Sequence, residues 1–101
     1  MGGDEALNDF KRSVNEAYPD ATIYLFGSRA RGDNLKHSDY DILVISDSFD
    51  NTSPVRRREH LYQYWDGDEH ADIIAYTPEE FERLAEQITV AREAKRDRVK
   101  L

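Results

Sequence analysis

A run of four aliphatic residues, Ile42-Leu43-Val44-Ile45, constrains the fold of this chain more than any other sequence feature. It lies within the segment 40–46, whose length and β-branched content are typical of a strand. Because the run has no polar alternation, the strand that it predicts is buried on both faces, as in a sheet covered by helices. Four residues are far fewer than the roughly 20 that a membrane helix requires, so a membrane protein is disfavoured.

Two further strands are predicted on either side of this one. Residues 21–26 form a short run of β-branched and aromatic side chains that is closed by Gly27. Residues 71–76 form a second such run with two isoleucines. The 13 residues 27–39 between the first two strands are enough for a short crossover helix or for an antiparallel return, so the direction of the strands stays open.

Helices are predicted before, between and after these strands. Apolar side chains at helical spacing, with acidic residues near the start, predict a helix over residues 4–18. Ser53-Pro54 supplies an N-cap and a first-turn proline for a helix that ends near Gly67. Thr77-Pro78-Glu79-Glu80 has the pattern of a capping box and predicts a last helix. This order of elements indicates an α/β or α+β layer architecture.

The composition limits the class of protein. The chain has 101 residues, the size of one domain, with a core over residues 4–88 and a charged tail over 89–101. It contains no cysteine, which excludes disulfides, zinc–thiolate sites and thiol catalysis. Its net charge of −7 disfavours stable binding to nucleic acid, because such binding needs Lys and Arg to neutralise phosphates. We therefore expect a single cytoplasmic domain.

Paired carboxylates mark the start of the central strand. Asp39 and Asp41 are two residues apart, and side chains alternate across a strand, so both carboxylates are expected on one face. Two adjacent anions favour a cation between them, and Mg²⁺ takes one or two carboxylates together with phosphate oxygens. Asp72 begins the third strand and completes the set if the two strands are neighbours. The alternative interpretation is that Asp-x-Asp belongs to an ordinary turn.

A glycine-serine pair follows the first strand. At such a turn, backbone amides and the hydroxyl of Ser28 meet an anion, while Gly27 lets a phosphate approach the main chain. Ten residues then separate Ser28 from Asp39. Each feature alone is a weak signal, but their joint occurrence with the strands is specific and favours a phosphate-handling site.

Together, these motifs resemble a known signature. Gly27-Ser28-Arg29-Ala30-Arg31-Gly32 and Asp39-Tyr40-Asp41-Ile42-Leu43-Val44 look like the signature of the DNA-polymerase-beta-like nucleotidyltransferases. In length and element order the chain is similar to the minimal nucleotidyltransferase group of that superfamily. The resemblance implies a nucleotidyltransferase fold with a small mixed three-stranded sheet packed by about four helices.

The resemblance also implies a role for each carboxylate. Asp39 and Asp41 would bind two Mg²⁺ ions, and Asp72 would be the third carboxylate of the catalytic set. Asp72 is assigned only as a strand-initial aspartate followed by apolar residues, so Asp66 and Asp68 stay as alternatives.

The phosphates of a nucleoside triphosphate would lie at the first turn. The resemblance implies that Gly27 and Ser28 hold the β and γ phosphates. Arg29 and Arg31 lie in the same turn, and an Arg fork suits phosphate oxygens. The alternative for both arginines is a salt bridge to a nearby acid, and we favour the phosphate role for Arg31.

The function implied by the resemblance is Mg²⁺-dependent transfer of AMP from ATP to a hydroxyl group. The chain is similar to the antitoxin half of toxin–antitoxin pairs whose toxin is a HEPN-type ribonuclease, so the implied acceptor is a Tyr of such a partner. A binding antitoxin without catalysis is one alternative, and an aminoglycoside-type small-molecule enzyme is another. Homo-oligomerisation stays open.

Several other polar and aromatic groups have structural interpretations. Arg56-Arg57-Arg58 lies near a helix N-terminus, where the dipole is unfavourable for cations, which leaves a partner or phosphate site open beside a structural role. Tyr62, Tyr64 and Trp65 are assigned to packing rather than to base stacking. The histidines show no metal-ligand spacing; they are His37, His60 and His70.

Overall fold

The computed structural model describes residues 2–26, 40–67, 70–87 and 99–100. Within these ranges no helix is long and apolar enough to cross a bilayer. The elements follow one another as α1 (Gly2–Ala17), β1 (Thr22–Phe26), β2 (Tyr40–Ile45), a 3-10 helix (Asp47–Asn51), α2 (Pro54–Tyr62), β3 (Ala71–Tyr76), α3 (Pro78–Gln87) and β4 (Val99–Lys100).

The strands form one mixed sheet in the order β3-β2-β1-β4. β1 is antiparallel to β2, and β2 is parallel to β3, with α2 in the connection between them. The predicted mixed sheet of three strands is confirmed, and it gains a two-residue strand, Val99–Lys100, that pairs with β1. These two residues lie in the segment 89–101, whose charged composition predicts a fraying helix end or a disordered tail. A strand of two residues is too short to show an alternating pattern, so the sequence of this segment does not predict it.

Helix prediction is confirmed for three α-helices. The fourth predicted element, a short helix or loop over residues 28–38, lies outside the described residues. α2 ends at Tyr62 rather than near Gly67, because the chain tightens into turns in which the Tyr64 and Trp65 amides donate to the carbonyls of Leu61 and Tyr62. Gly67 then passes so close to Trp65 that a Cβ there would meet its ring at 2.8 Å, so a side chain would require the ring to move.

The two faces of the sheet build separate core clusters. Side chains alternate along β2, so Ile42 and Val44 share one face while Leu43 and Ile45 share the other. α1 and α2 cover the first face and form the larger cluster, which contains Leu7, Phe10, Val14, Ile23, Tyr40, Ile42, Val44, Phe49, Leu61, Ala71, Ile73 and Ala75. On the second face, Leu43 and Phe81 of α3 are buried together, with Tyr24, Ile45, Ile74 and Tyr76 around them.

Both predicted helix starts are confirmed by their caps. The Thr77 hydroxyl accepts from the Glu80 amide at 3.1 Å, and the Glu80 carboxylate accepts from the Thr77 amide at 2.9 Å, which is a capping box. The Ser53 hydroxyl accepts from the Arg56 amide at 3.4 Å. Local sequence signals therefore set the start of α2 and of α3.

Residues 47–52, which the sequence predicts to be a loop between the second strand and the next helix, contain the 3-10 helix Asp47–Asn51. Asp20, just after α1, accepts from the hydroxyls of Ser46 and Ser48 at 2.8 and 3.0 Å and from the amide of Asp47 at 2.9 Å. Burial raises the pKa of the Asp20 carboxyl, but these hydrogen bonds outweigh it and hold the pKa below its ordinary value. The helical turn therefore depends on a residue distant in sequence.

Arg57 connects the outer edge of β3 to α3. Its buried guanidinium donates to the carbonyl of Ala75 at 3.2 Å and to both carboxylate oxygens of Glu80 at 2.6 and 3.1 Å. The Tyr62 hydroxyl accepts from the Ile73 amide at 3.1 Å on the same edge. Side chains of α2 thus satisfy backbone groups that an edge strand would otherwise expose.

Candidate active site

Asp41 and Asp72 lie side by side at the start of neighbouring strands. They are register partners in the parallel pairing of β2 with β3. In-register residues of adjacent strands share a face and are separated by about 5 Å between backbones. That face is the one opposite Ile42 and Ile73, which belong to the larger core cluster. The expectation that β2 and β3 are neighbours, which the carboxylate set required, is confirmed.

The two carboxylates differ in exposure. Asp41 is half-buried, whereas the Asp72 side chain is 53% exposed. The site therefore has an inner carboxylate, Asp41, and an outer carboxylate, Asp72, and the oxygens of both are suited to binding a cation. Such a site is open to a substrate on its outer side.

His70 lies directly beside the outer carboxylate. Its Nε2 is 3.2 Å from Asp72 Oδ1, and its backbone carbonyl accepts from the Tyr40 amide at 2.9 Å. In the sequence, His70 has no metal-ligand spacing with the other histidines and was therefore not predicted as a site residue. Its position two residues before Asp72, at the start of a strand, is the signal that places it on the carboxylate's side.

Aromatic packing supports the strand end that carries Asp41. The ring of Tyr40, the preceding residue, is buried and lies 5.2 Å from the ring of Trp65. Trp65 in turn packs edge-on against Phe10 of α1, with 6.0 Å between ring centres. The assignment of Trp65 to packing is confirmed. Tyr40 points into the core, which directs its neighbour Asp41 to the opposite face.

Several predicted site residues lie outside the described residues. These are Gly27, Ser28, Arg29, Arg31 and Asp39. Of the two alternatives for the third carboxylate, Asp68 also lies outside them, and Asp66 is exposed in the segment after α2. Only Asp72 is paired in register with Asp41, which favours it over Asp66.

The arginine run divides into one buried and two exposed side chains. Arg57 is 3% exposed and bound to Glu80, so it has a structural role. Arg56 and Arg58 are exposed. A helical period of 3.6 residues separates consecutive side chains by about 100°, which explains why three adjacent arginines differ in burial.

The donor set at the strand ends fits a hard divalent cation. Carboxylate oxygens are the ligands that Mg²⁺ takes, and it binds through one or two of them together with phosphate oxygens. In the described part of the chain, no group of three or more His, Cys, Asp or Glu side chains is assembled for a metal. Asp41 and Asp72 supply two carboxylates, and the remaining carboxylate of the predicted set, Asp39, lies outside that part.

Comparison with known proteins agrees with this arrangement. The chain matches the nucleotidyltransferase domain family over residues 7–100. A Haemophilus influenzae protein named "Probable protein adenylyltransferase MntA" is 28% identical over 88 residues, which are 85% of this chain and 77% of that protein.

Two solved structures share the fold. A crystal structure of a candidate nucleotidyltransferase from Sulfolobus solfataricus has a TM-score of 0.71 and 26% identity, over 95% of this chain and 76% of that one. A toxin–antitoxin structure with AMP-PNP has a TM-score of 0.57 and 20% identity, over 92% and 69%. Because the family match spans nearly the whole sequence, the resemblance seen in the motifs is confirmed, and the chain belongs to the nucleotidyltransferase domain family.

Proposed function

We propose that this protein transfers AMP from ATP to a hydroxyl group of a partner protein in a Mg²⁺-dependent reaction. The observation that carries the proposal is the in-register pairing of Asp41 with Asp72 on one face of the sheet. Family membership supplies the reaction class. A cytoplasmic location, predicted from the sequence, is part of the proposal.

Asp41 and Asp72, together with Asp39, would hold the divalent cation. When bound, the cation offsets negative charge on the triphosphate and on the departing pyrophosphate. Asp41 is half-buried, and its strand end is anchored by the preceding residue, Tyr40, whose ring packs against Trp65 on the other face of the sheet. The turn residues Gly27 and Ser28, with Arg29 and Arg31, stay predicted to bind the phosphates.

The exposed carboxylate of Asp72 faces the side from which an acceptor arrives. It orients the acceptor hydroxyl and accepts its proton as the oxygen attacks the α-phosphorus, and pyrophosphate leaves on the opposite side. His70 Nε2, 3.2 Å from Asp72 Oδ1, fixes the orientation of that carboxylate. The inner and outer acids thus have different tasks in the same step.

Two comparisons support a protein acceptor. The similar Haemophilus influenzae protein is named as a protein adenylyltransferase. The fold also occurs in a toxin–antitoxin structure that contains an ATP analogue. We therefore propose an antitoxin role in which a Tyr of a HEPN-type partner receives the AMP, as the sequence resemblance implies.

The test is intact-mass spectrometry of the protein that co-purifies with the full chain from its native cells, before and after addition of Mg-ATP. The expected result is an adenylyl-sized mass increment on the partner that is absent with Asp72→Asn. Asp66→Asn is the matched control and should behave as the wild type. A stable partner without an increment would favour a binding antitoxin, and modification of small hydroxyl compounds alone would favour the aminoglycoside-type enzyme.

A further inference from the structure

The exposed surface of α2 combines an apolar side chain with two exposed arginines. We call Val55, Arg56, Arg58, Glu59 and Tyr62 the α2 patch. Val55 is 67% exposed and is the one exposed large hydrophobic side chain among the residues that the structure describes. Beside it lies a shallow cavity of about 450 Å³, lined by Val55, Arg58, Glu59 and Tyr62. A solvent-exposed valine at the rim of a cavity is a feature that burial by a partner would stabilise.

The charge of the α2 patch is only partly explained by contacts among the described residues. Arg56 lies in the first turn of α2, where the helix dipole disfavours cations and where no residue is acidic, whereas Arg58 lies at the middle of the helix. Throughout the described ranges, neither of them forms a salt bridge. Arg57, between them, is accounted for by its buried contacts with Glu80. Within the described residues, Arg56 is thus left in an unfavourable position without an ionic partner.

One of these cations is already ordered over the cavity. The guanidinium carbon of Arg58 lies 5.9 Å from the centre of the Tyr62 ring, within the range of a cation–π contact. The Tyr62 hydroxyl is engaged by the Ile73 amide, so the ring is held by the sheet edge. A charged group that approached Arg58 would therefore find it preorganised, which lowers the entropic cost of binding.

The combination of charge and apolar surface defines the occupant. In a chain with a net charge of −7, Arg56 and Arg58 form a local cationic site that complements carboxylates. The overall negative charge repels nucleic acid, and a phosphate backbone offers no side chain to cover Val55. We propose that the α2 patch docks a segment of a partner protein that places an aliphatic or aromatic side chain against Val55 and carboxylates against Arg56 and Arg58.

The proposal goes beyond the transfer reaction, because the α2 patch is separate from the carboxylate site. α2 packs through Leu61 into the larger core cluster, whereas Asp41 and Asp72 lie on the opposite face of the sheet. A segment docked on α2 does not have to cover those carboxylates. Docking on α2 raises the effective concentration, near the carboxylates, of any acceptor group that the partner carries.

The first test places a photo-crosslinker at the patch in the full chain. Val55→p-benzoylphenylalanine is expressed in the native cells, and Asn8→p-benzoylphenylalanine, on an exposed position of α1, is the matched control. After irradiation, the attached segment is sequenced by mass spectrometry. The expected result is a protein segment that contains apolar and acidic residues and is captured at position 55 only. A nucleic-acid adduct, a basic segment, or no capture above the control would overturn the proposal.

The second test measures the affinity of the captured partner, as purified protein, for charge-reversed variants. Arg56→Glu/Arg58→Glu should weaken binding by about tenfold or more, whereas Lys11→Glu/Arg12→Glu, with the same change in net charge on α1, should not. Binding of labelled ATP should be the same for both, which separates a failure of docking from a failure of the proposed transfer activity. Equal effects of the two double variants on partner binding would contradict a specific docking surface.

Discussion

On the face of the sheet that packs against α1 and α2, β2 contributes Ile42 and Val44 to a continuous core. On the other face, the same strand carries Asp41 next to Leu43, and among the described residues Leu43 and Phe81 form a small buried cluster there. One strand therefore provides stability through one set of alternate residues and a carboxylate through the other. Substitutions on the first face should therefore lower the stability of the fold, whereas substitutions of the carboxylates on the second face should lower the proposed transfer activity.

The largest effect is expected on the carboxylate face. Asp41→Asn should reduce transfer of AMP by about 100-fold or more, because it removes a charged oxygen ligand of the proposed divalent-cation site. The free energy of unfolding should change little, since Asn has nearly the size and shape of Asp and Asp41 is only half-buried at the start of β2. The rate of adenylyl incorporation and urea denaturation, measured on the same preparation, check both parts. Near-full activity of Asp41→Asn, or a large loss of its stability, would contradict this separation of the two faces.

On the face that packs against α1 and α2, substitutions should reduce stability and leave nucleotide binding intact. Phe10→Ala removes a fully buried ring from the larger cluster and should lower the free energy of unfolding by about 3–5 kcal/mol. Urea denaturation at neutral pH measures the change. Any remaining folded fraction should still bind Mg-ATP, because Phe10 lies on the face opposite the carboxylates. A cost below about 1 kcal/mol would mean that this face is not the main source of stability.

A smaller loss of stability is expected at the connection between the faces. Arg57→Ala leaves the Glu80 carboxylate, which is 33% exposed, without its guanidinium partner. Because water can partly replace that partner, we expect a loss of about 2–3 kcal/mol, below the cost for a fully buried pair. Arg83→Ala, which breaks an exposed pair with Glu79, is the control and should change stability little. Equal effects would show that the Arg57 contact is not structural.

The smallest effect concerns pH. The hydrogen bonds from Arg57 hold the pKa of the Glu80 carboxyl below its ordinary value. A carboxyl with a depressed folded pKa stabilises the fold above its unfolded pKa and loses that contribution as the pH falls through the folded pKa. Stability should thus decrease below pH 4.5, the ordinary value, and Glu80→Gln should flatten that part of the profile. Urea midpoints collected over the acid range check this, and an unchanged slope in the variant would count against it.

Local signals in the sequence were sufficient for much of the fold. β3 has the predicted bounds, because a β-branched run between polar residues determines both of its ends. The starts of α2 and α3 follow from Ser53 and from the Thr77–Glu80 capping box, which act within one turn of helix. The position of Asp72 at the start of a strand was also predictable from the sequence, and its catalytic role stays a prediction.

Features that depend on distant residues were not predictable from local patterns. The 3-10 helix after β2 requires Asp20, which precedes β1. The structural role of Arg57 requires Glu80, 23 residues later. The directions of the strands depend on how the whole chain packs, so the sequence left them open. The pairing of Asp41 with Asp72 was expected only if β2 and β3 are neighbours. The order of strands in a sheet depends on tertiary packing, so the local sequence does not determine it.

Asp41 and Asp72 are proposed to act together as one divalent-cation site for the triphosphate. Electron paramagnetic resonance of Mn²⁺, in the presence of α,β-methylene-ATP so that no transfer occurs, measures this directly. We predict tight Mn²⁺ binding by the wild type and by Asp66→Asn, and binding weakened by about tenfold or more in both Asp41→Asn and Asp72→Asn. Unchanged Mn²⁺ affinity in either of the last two variants would contradict the account.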